Sequence, residues 1–342
     1  MTSGSVPVGV GHDVVVVGAS AGGLQPLQIL LGGLPRDLPA SVFIVVHRTA
    51  DPSSMLSSIL GRETTLRVVD AVDRMAIERG VAYLAPPDLH LLVHERSVRV
   101  VRGPRENRHR PAVDPLFRSA AWAHGPRVVG VLLSGALNDG TAGLWAIRTC
   151  GGAVVVQDPA DAQFSGMPTS ALESLEADYR VPVADMPAIV RTLAATPANL
   201  HAVAEVPEQI RLESAMAELH SNDMRQVSRI GAITPYTCPQ CHGALWEIDD
   251  ANVLRFRCHT GHAFTAESLV ADQEASLEDA LYSAVRALEE NAAVSRRLAE
   301  RARLRHNEAA ARSFTERAER ADASAATIAQ LYGEPRERVD DE

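Results

Sequence analysis

Residues 13–18 read Asp-Val-Val-Val-Val-Gly and residues 41–46 read Ser-Val-Phe-Ile-Val-Val. Unbroken apolar runs this short fit strands buried on both faces, because a half-exposed strand would alternate polar and apolar side chains. Similar runs lie at 66–69, 81–84, 90–93, 97–101, 127–133 and 153–156. Helical patterns separate several of them, at 24–34, 53–60, 115–123 and 141–149. This alternation predicts an α/β fold with a doubly wound, mainly parallel sheet in a Rossmann-like three-layer arrangement. The runs at 90–93 and 97–101 read as a hairpin, so an antiparallel addition is expected. Aromatic residues make up only 4% of the 342 residues, so Val, Leu, Ile and Ala must fill the core.

The strand–helix pattern fades near residue 195. Residues 1–12 read as a flexible tail, 13–195 as the α/β domain, and 196–235 as a linker with a helix over 208–230. Pro197 and Pro207 mark that linker. Residues 236–270 turn to Cys, His and Gly, with strand-like segments at 244–248 and 253–257. Residues 271–332 read as a helical arm, with Leu277, Leu281, Val285, Leu288, Val294 and Leu298 on one face, and 333–342 as an acidic tail. The arm is expected to be a coiled coil or to pair with helix 208–230, which suits self-association or the docking of a partner. The formal charge of −10 argues against nucleic-acid binding, and all 33 basic side chains are Arg. No run is apolar for long enough to span a membrane, and Met1–His12 lacks the pattern of a leader. Three of the four Cys cluster in the C-terminal third, which points to a metal site in a reducing compartment and to the cytoplasm.

Ser20 lies in Gly18-Ala19-Ser20-Ala21-Gly22-Gly23, between the first strand and the first helix. A serine there is lifted from the sheet on a tight turn, and the following helix N-terminus favours an oxyanion. The same turn suits a dinucleotide pyrophosphate, but the order is not G-x-G-x-x-G, and His47 stands where a ribose-binding acid would close the second strand. Asp139 follows the strand at 127–133. Nucleophile, base and orienting carboxylate therefore all fall at strand ends on one sheet edge. Helix capping is the alternative reading of His47 and Asp139.

Several ordered segments resemble the chemotaxis protein-glutamate methylesterases of the CheB type. They are residues 18–23, 45–47, 110–120, 132–140, 157–159 and 164–168. The resemblance implies a catalytic domain over 13–195, with Ser20 as nucleophile, His47 as base and Asp139 as its carboxylate. It implies an oxyanion hole from the backbone N–H groups of Ala21 and Ala136, and no cofactor for catalysis. It also suggests substrate contacts from Asp114, Arg118 and Met167. Their alternatives are a surface helix cap, a solvated helix charge and an apolar turn packed on the core. The family often has Thr at the Ala21 position and Met at the Ala136 position. Its N-terminal receiver domain is not expected here, because the first strand begins about a dozen residues in.

Cys238 and Cys241 form one knuckle, and Cys258-His259-Thr260-Gly261-His262 forms a second. Two such knuckles across a hairpin can hold a structural zinc ion through Cys238, Cys241, Cys258 and a histidine. His262 is favoured over His259, because its spacing from Cys258 leaves room for a turn through Gly261. The expected function is hydrolysis of glutamate γ-methyl esters on a chemoreceptor or related receptor, with deamidation of receptor glutamine by the same route. The alternative is a non-catalytic signalling adaptor that uses the esterase fold and metal module to bind partners.

Overall fold

The computed structural model describes residues 11–48, 55–200, 205–218, 224–248 and 253–333. The chain divides into two compact units, residues 1–269 and 270–342. In the first, seven strands form one sheet: β1 (Val14–Ala19), β2 (Ser41–Val46), β3 (Arg67–Asp70), β4 (Val81–Leu84), β7 (Val128–Leu132), β8 (Ala153–Gln157) and β9 (Tyr179–Val181). Their order is β3-β4-β2-β1-β7-β8-β9, and every pair is parallel. The hairpin of β5 (His90–Val93) and β6 (Val98–Val101) forms as expected, but as a separate two-stranded sheet rather than an antiparallel addition.

The valine run of β1 serves both faces. Val14 and Val16 pack with Leu116 and Phe117 of α3 (Val113–His124) and Leu144 of α4 (Thr141–Thr149). Val15 and Val17 pack with Leu27 and Leu30 of α1 (Leu24–Gly32), Leu60 of α2 (Leu56–Glu63) and Val190 of α6 (Met186–Ala195). Each fully buried Val or Leu contributes about 1.5–3 kcal/mol relative to exposure. The expected helix at 53–60 is seen from Leu56, and residues 53 and 54 lie outside the described residues. The strand–helix end at α5 (Gly166–Ser174), β9 and α6 escaped the sequence reading. α5 carries Gly166 and Pro168 in its first turn, where Pro is tolerated but the pattern resembles a loop. β9 is a three-residue edge strand with no buried residue.

The chain leaves β1 for β2 on one side and later returns to β7 on the other. This reversal brings the loops after β1, β2 and β7 together at the carboxyl edge, where open α/β sheets form their crevice.

Helices α7 (Glu208–Ala217) and α8 (Met224–Ile230) replace the single expected helix, with residues 219–223 outside the described residues. They precede a four-stranded antiparallel sheet, β10 (Gly231–Thr237), β11 (Ala244–Ile248), β12 (Arg255–Cys258) and β13 (Ala263–Thr265). The second unit is a helical hairpin rather than one arm. α9 (Ala266–Leu304) and α10 (Glu308–Gly333) pack through Ala292, Ala318 and Ala321, and Arg296 pairs with Asp322 at 2.6 Å. The break falls at residues 305–307, where Asn307 Oδ1 accepts the Ala310 N–H and caps α10.

Candidate active site

Ser20 follows β1 directly, and its backbone is fixed on both sides. Its N–H donates to Ser134 O at 2.9 Å, and its carbonyl accepts from Gly23 N at 2.9 Å. Gly22 takes a φ of +67°, which a side chain would strain. Gly135 permits a second close approach, since a Cβ there would lie 2.0 Å from Met167 Sδ and 2.8 Å from Ser20 Cβ. The backbone N–H groups of Ala21 and Ala136, both exposed residues flanking this contact, have no protein acceptor among the described residues.

His47 follows β2, and its N–H donates to Ala19 O at 3.0 Å, which locks it beside the serine turn. Its ring joins the other two residues. Nδ1 lies 3.0 Å from Ser20 Oγ, and Nε2 lies 2.6 Å from Asp139 Oδ2. Asp139 is 2% exposed and is surrounded by donors. Val113 N–H reaches Oδ2 at 2.7 Å, while Oδ1 takes Asn107 Nδ2 at 3.0 Å, Asp114 N–H at 3.2 Å and Gly140 N–H at 3.0 Å. Val113 and Asp114 open α3, so the carboxylate also sits at a helix N-terminus. Burial alone would raise its pKa. The hydrogen bond and charge of His47, with the Val113 N–H, outweigh burial and hold Asp139 below the usual carboxylate range.

The family model for CheB methylesterase matches residues 15–190. The chain belongs to that family. A putative protein-glutamate methylesterase/protein-glutamine glutaminase of Leptospira interrogans is 35% identical over 169 residues, covering 49% of this chain and 88% of the relative. A protein-glutamate methylesterase/protein-glutamine glutaminase of Methanosarcina mazei is 35% identical over 183 residues, but those cover only 50% of its length. The crystal structure of the Thermotoga maritima CheB methylesterase catalytic domain matches with a TM-score of 0.52 and 30% identity, over 53% of this chain and 98% of that one. The cysteine–histidine module and the helical hairpin lie beyond the family match.

Within this CheB domain Asp114 and Arg118 are placed differently from either sequence reading, while Met167 takes its alternative, an apolar turn packed on the core. Asp114 and Arg118 are each 2% exposed, so they neither face a groove nor form a solvated cap or charge. Asp114 accepts Gly140 N–H at 3.0 Å and Gly143 N–H at 2.7 Å, and so ties α3 to the aspartate loop. Burial, then the neighbouring Asp139 charge, push its pKa up to about 8. Arg118 gives Nη2 to both oxygens of buried Glu106, at 2.8 and 2.9 Å. Met167 is fully buried and packs under Gly135. Cys150 is buried too, and burial pushes its thiol up to about 11, which fits a core residue.

Two site residues were missed. His109 stacks on the His47 ring with centroids 3.6 Å apart and planes 13° from parallel. Asn107 donates to both Asp139 and Asp114. The one available signal was their position in Glu106–His109, immediately before the family segment at 110–120.

The cysteine knuckles close as paired turns. His242 N–H donates to Cys238 O at 2.8 Å, and Cys258 N–H donates to His262 O at 2.9 Å. Donor atoms of Cys238, Cys241, Cys258 and His262 all lie within 4.8 Å of one another. His262 Nδ1 is 3.7 Å from Cys238 Sγ and 3.5 Å from Cys258 Sγ, and the Cys241 and Cys258 sulfurs are 3.6 Å apart. The mutual hydrogen bond of the Cys238 and Cys258 thiols pushes Cys238 up and, with bonds from His262 and Thr260, holds Cys258 low.

Proposed function

We propose that this chain hydrolyses glutamate γ-methyl esters on a chemoreceptor or related signalling receptor, and deamidates receptor glutamine by the same route. The observation that carries the reading is the continuous line Ser20–His47–Asp139 inside a CheB methylesterase domain. Asp139 accepts the Nε2 proton of His47, which leaves Nδ1 as the base facing Ser20. Ser20 Oγ attacks the ester carbonyl carbon while its proton passes to Nδ1. The N–H groups of Ala21 and Ala136 receive the oxyanion. Collapse breaks the ester C–O bond, and Nδ1–H protonates the departing methanol. Water then attacks the acyl-serine and gives a proton to Nδ1; the C–Oγ bond breaks, Nδ1–H returns that proton to Ser20 Oγ, and glutamate is released. For glutamine the leaving group is ammonia. The chain's own groups supply nucleophile, base and oxyanion donors, so the scheme uses no cofactor.

The cysteine–histidine cluster is read here as a structural zinc site. A tetrahedron with Zn–S near 2.3 Å has edges of about 3.8 Å, close to the observed separations. Four protein ligands leave no open position for catalysis. Among the described residues no helix is long and apolar enough to cross a membrane, and the thiolate cluster suits the reducing cytoplasm. Residues 13–195 are the proposed catalytic domain, 236–270 the proposed metal module and 271–332 the helical hairpin. Exposed Leu277, Val294 and Leu298 on α9 suit self-association, which light scattering tests.

The decisive experiment measures methanol release from a methylated receptor fragment, with fluorophosphonate labelling in parallel. Wild type is expected to release methanol and label at Ser20, and Ser20→Ala to do neither. Equal methanol release by Ser20→Ala overturns the serine mechanism. Folded wild type that neither labels nor releases methanol points to the adaptor.

A further inference from the structure

The metal module and the aspartate loop are joined by buried hydrogen bonds at the corner where β13 ends and α9 begins. Thr265 and Ser268 are both fully buried there. Asn138, the residue before Asp139, accepts from Thr265 Oγ1 at 2.7 Å and donates to Glu267 Oε2 at 2.5 Å. Asn107 donates its backbone N–H to Ala263 O at 2.8 Å. Its Oδ1 accepts the Thr265 N–H at 3.1 Å and the Ser268 hydroxyl at 3.2 Å. Its Nδ2 then donates to Asp114 Oδ2 and Asp139 Oδ1. A hydrogen-bonded path thus runs from the module through Asn107 and Asp139 to His47 and Ser20.

The direction of the Asn107 amide is the critical point. Flipped, its oxygen would face the Asp139 carboxylate and its NH₂ the Thr265 N–H. The Ser268 hydroxyl, which also reaches Thr265 O at 3.1 Å, accommodates either orientation, so the carboxylate and the backbone N–H fix Nδ2 toward Asp139. The second asparagine is held from both ends of its amide, so the backbone that carries Asp139 is fixed as well.

From this arrangement we infer that the β13–α9 corner of the metal module is a positioning element of the esterase: Thr265 and Ser268 set Asn107 and Asn138, which hold Asp139 on His47. The inference rests on the serine-hydrolase reading. The active aspartate is therefore held partly by a part of the chain outside the CheB match. A break in the module would be felt as a loss of alignment, not of substrate binding.

The test uses the full chain with Thr265→Val and Ser268→Ala combined, against wild type and Thr265→Ser. Readouts are kcat and KM on the methylated receptor fragment, fluorophosphonate labelling rate, and the downfield proton resonance of His47 Nε2–H. Circular dichroism and metal content check the fold. Loss of the two hydroxyl bonds is expected to lower kcat and labelling about tenfold or more, with KM within about twofold. The downfield resonance should weaken or vanish, and Thr265→Ser should stay near wild type. A folded double variant with unchanged kcat and resonance overturns the inference. So does a Thr265→Ser protein as impaired as the double variant. If the double variant does not fold, Ser268→Ala alone decides by the same readouts. If wild type shows the resonance but never labels, the esterase reading fails alone. The corner is then judged on whether the double variant loses that resonance.

Discussion

His47 presents Nε2 to Asp139 Oδ2 at 2.6 Å, and so turns Nδ1, 3.0 Å away, toward Ser20. In the serine-protease arrangement the two nitrogens have the opposite partners. The logic is unchanged, because the carboxylate decides which nitrogen keeps its proton. Asp139→Asn is expected to place an NH₂ against Nε2, move the ring proton to Nδ1 and block the base. By the protease precedent kcat should fall on the order of 10⁴, with little change in KM. An ester has a better leaving group than an amide, so a loss of about 10² still fits. Methanol-release rates check this, and a variant within about threefold of wild type would make Asp139 only a holder of α3.

The ring stacked on His47 gives a pH prediction. Burial, followed by the His47 charge, pushes the His109 pKa down to about 4, against about 6.5 in an unfolded chain. Between those values the unfolded chain takes up a proton that the folded chain refuses. Stability from this group is therefore full above about 6.5 and is lost as pH falls toward about 4. His109→Phe keeps a stacking ring without the proton. Urea midpoints between pH 7 and 4 should fall less steeply for the variant than for wild type. His90 and His124 are also held low by burial, but they are common to both proteins and cancel in the difference. Parallel curves would show that folding does not shift the His109 pKa.

What the sequence made legible follows from local chemistry. The valine run of β1 and the mixed apolar run of β2 can only be buried strands, and a strand end fixes where its next residue lies. Ser20, His47 and Asp139 could therefore be placed on one edge from strand ends alone. The cysteine knuckles were equally local. Asn107 and Thr265 were not, because their bond spans 158 residues and neither lies in a periodic segment. Asp114 and Arg118 were misplaced for a related reason. Each reads as solvated until its distant partners are found, Glu106 for Arg118 and the N–H groups of Gly140 and Gly143 for Asp114.

Another buried ionic cluster links the CheB domain to the module. Glu213 of α7 accepts from Arg255 at 2.9 and 3.0 Å and from Arg257 at 2.9 and 3.0 Å, and Arg257 also reaches Glu106 at 3.1 Å. Burial opposes the charge on Glu213, but Arg255 and then Arg257 hold its pKa well below the ordinary range. Glu213→Ala would leave two guanidinium groups buried and underpaired. A loss of about 3–5 kcal/mol is expected, as for other broken buried pairs. Denaturant unfolding measures it. A change under about 0.5 kcal/mol, the size of an ordinary surface substitution, would mean that water already serves these arginines.

The metal cluster should couple to folding of the module but not of the parallel sheet. Around Cys238 and Cys258 the module packs few large apolar side chains, Leu245, Phe256, Phe264 and Leu269, and Trp246 and Ile248 of β11 form a second small cluster with Met216, Val227 and Ile230 of α7 and α8. So small a core does not fold alone without a cross-link or metal. The parallel sheet has its own two-sided core, with β1 and β2 buried throughout. Protein expressed with zinc is therefore expected to carry a single bound ion, and Cys258→Ala or His262→Ala to carry none. His259→Ala should retain it, because His259 is outside the cluster. On chelation, amide exchange should rise across β10–β13 while β1, β2 and β7 stay protected. Metal analysis and hydrogen-exchange mass spectrometry read the two halves separately. Module protection that is the same with and without chelator, in protein shown to lose its ion, would make the cluster a passenger on a fold held by the arginine–glutamate network alone.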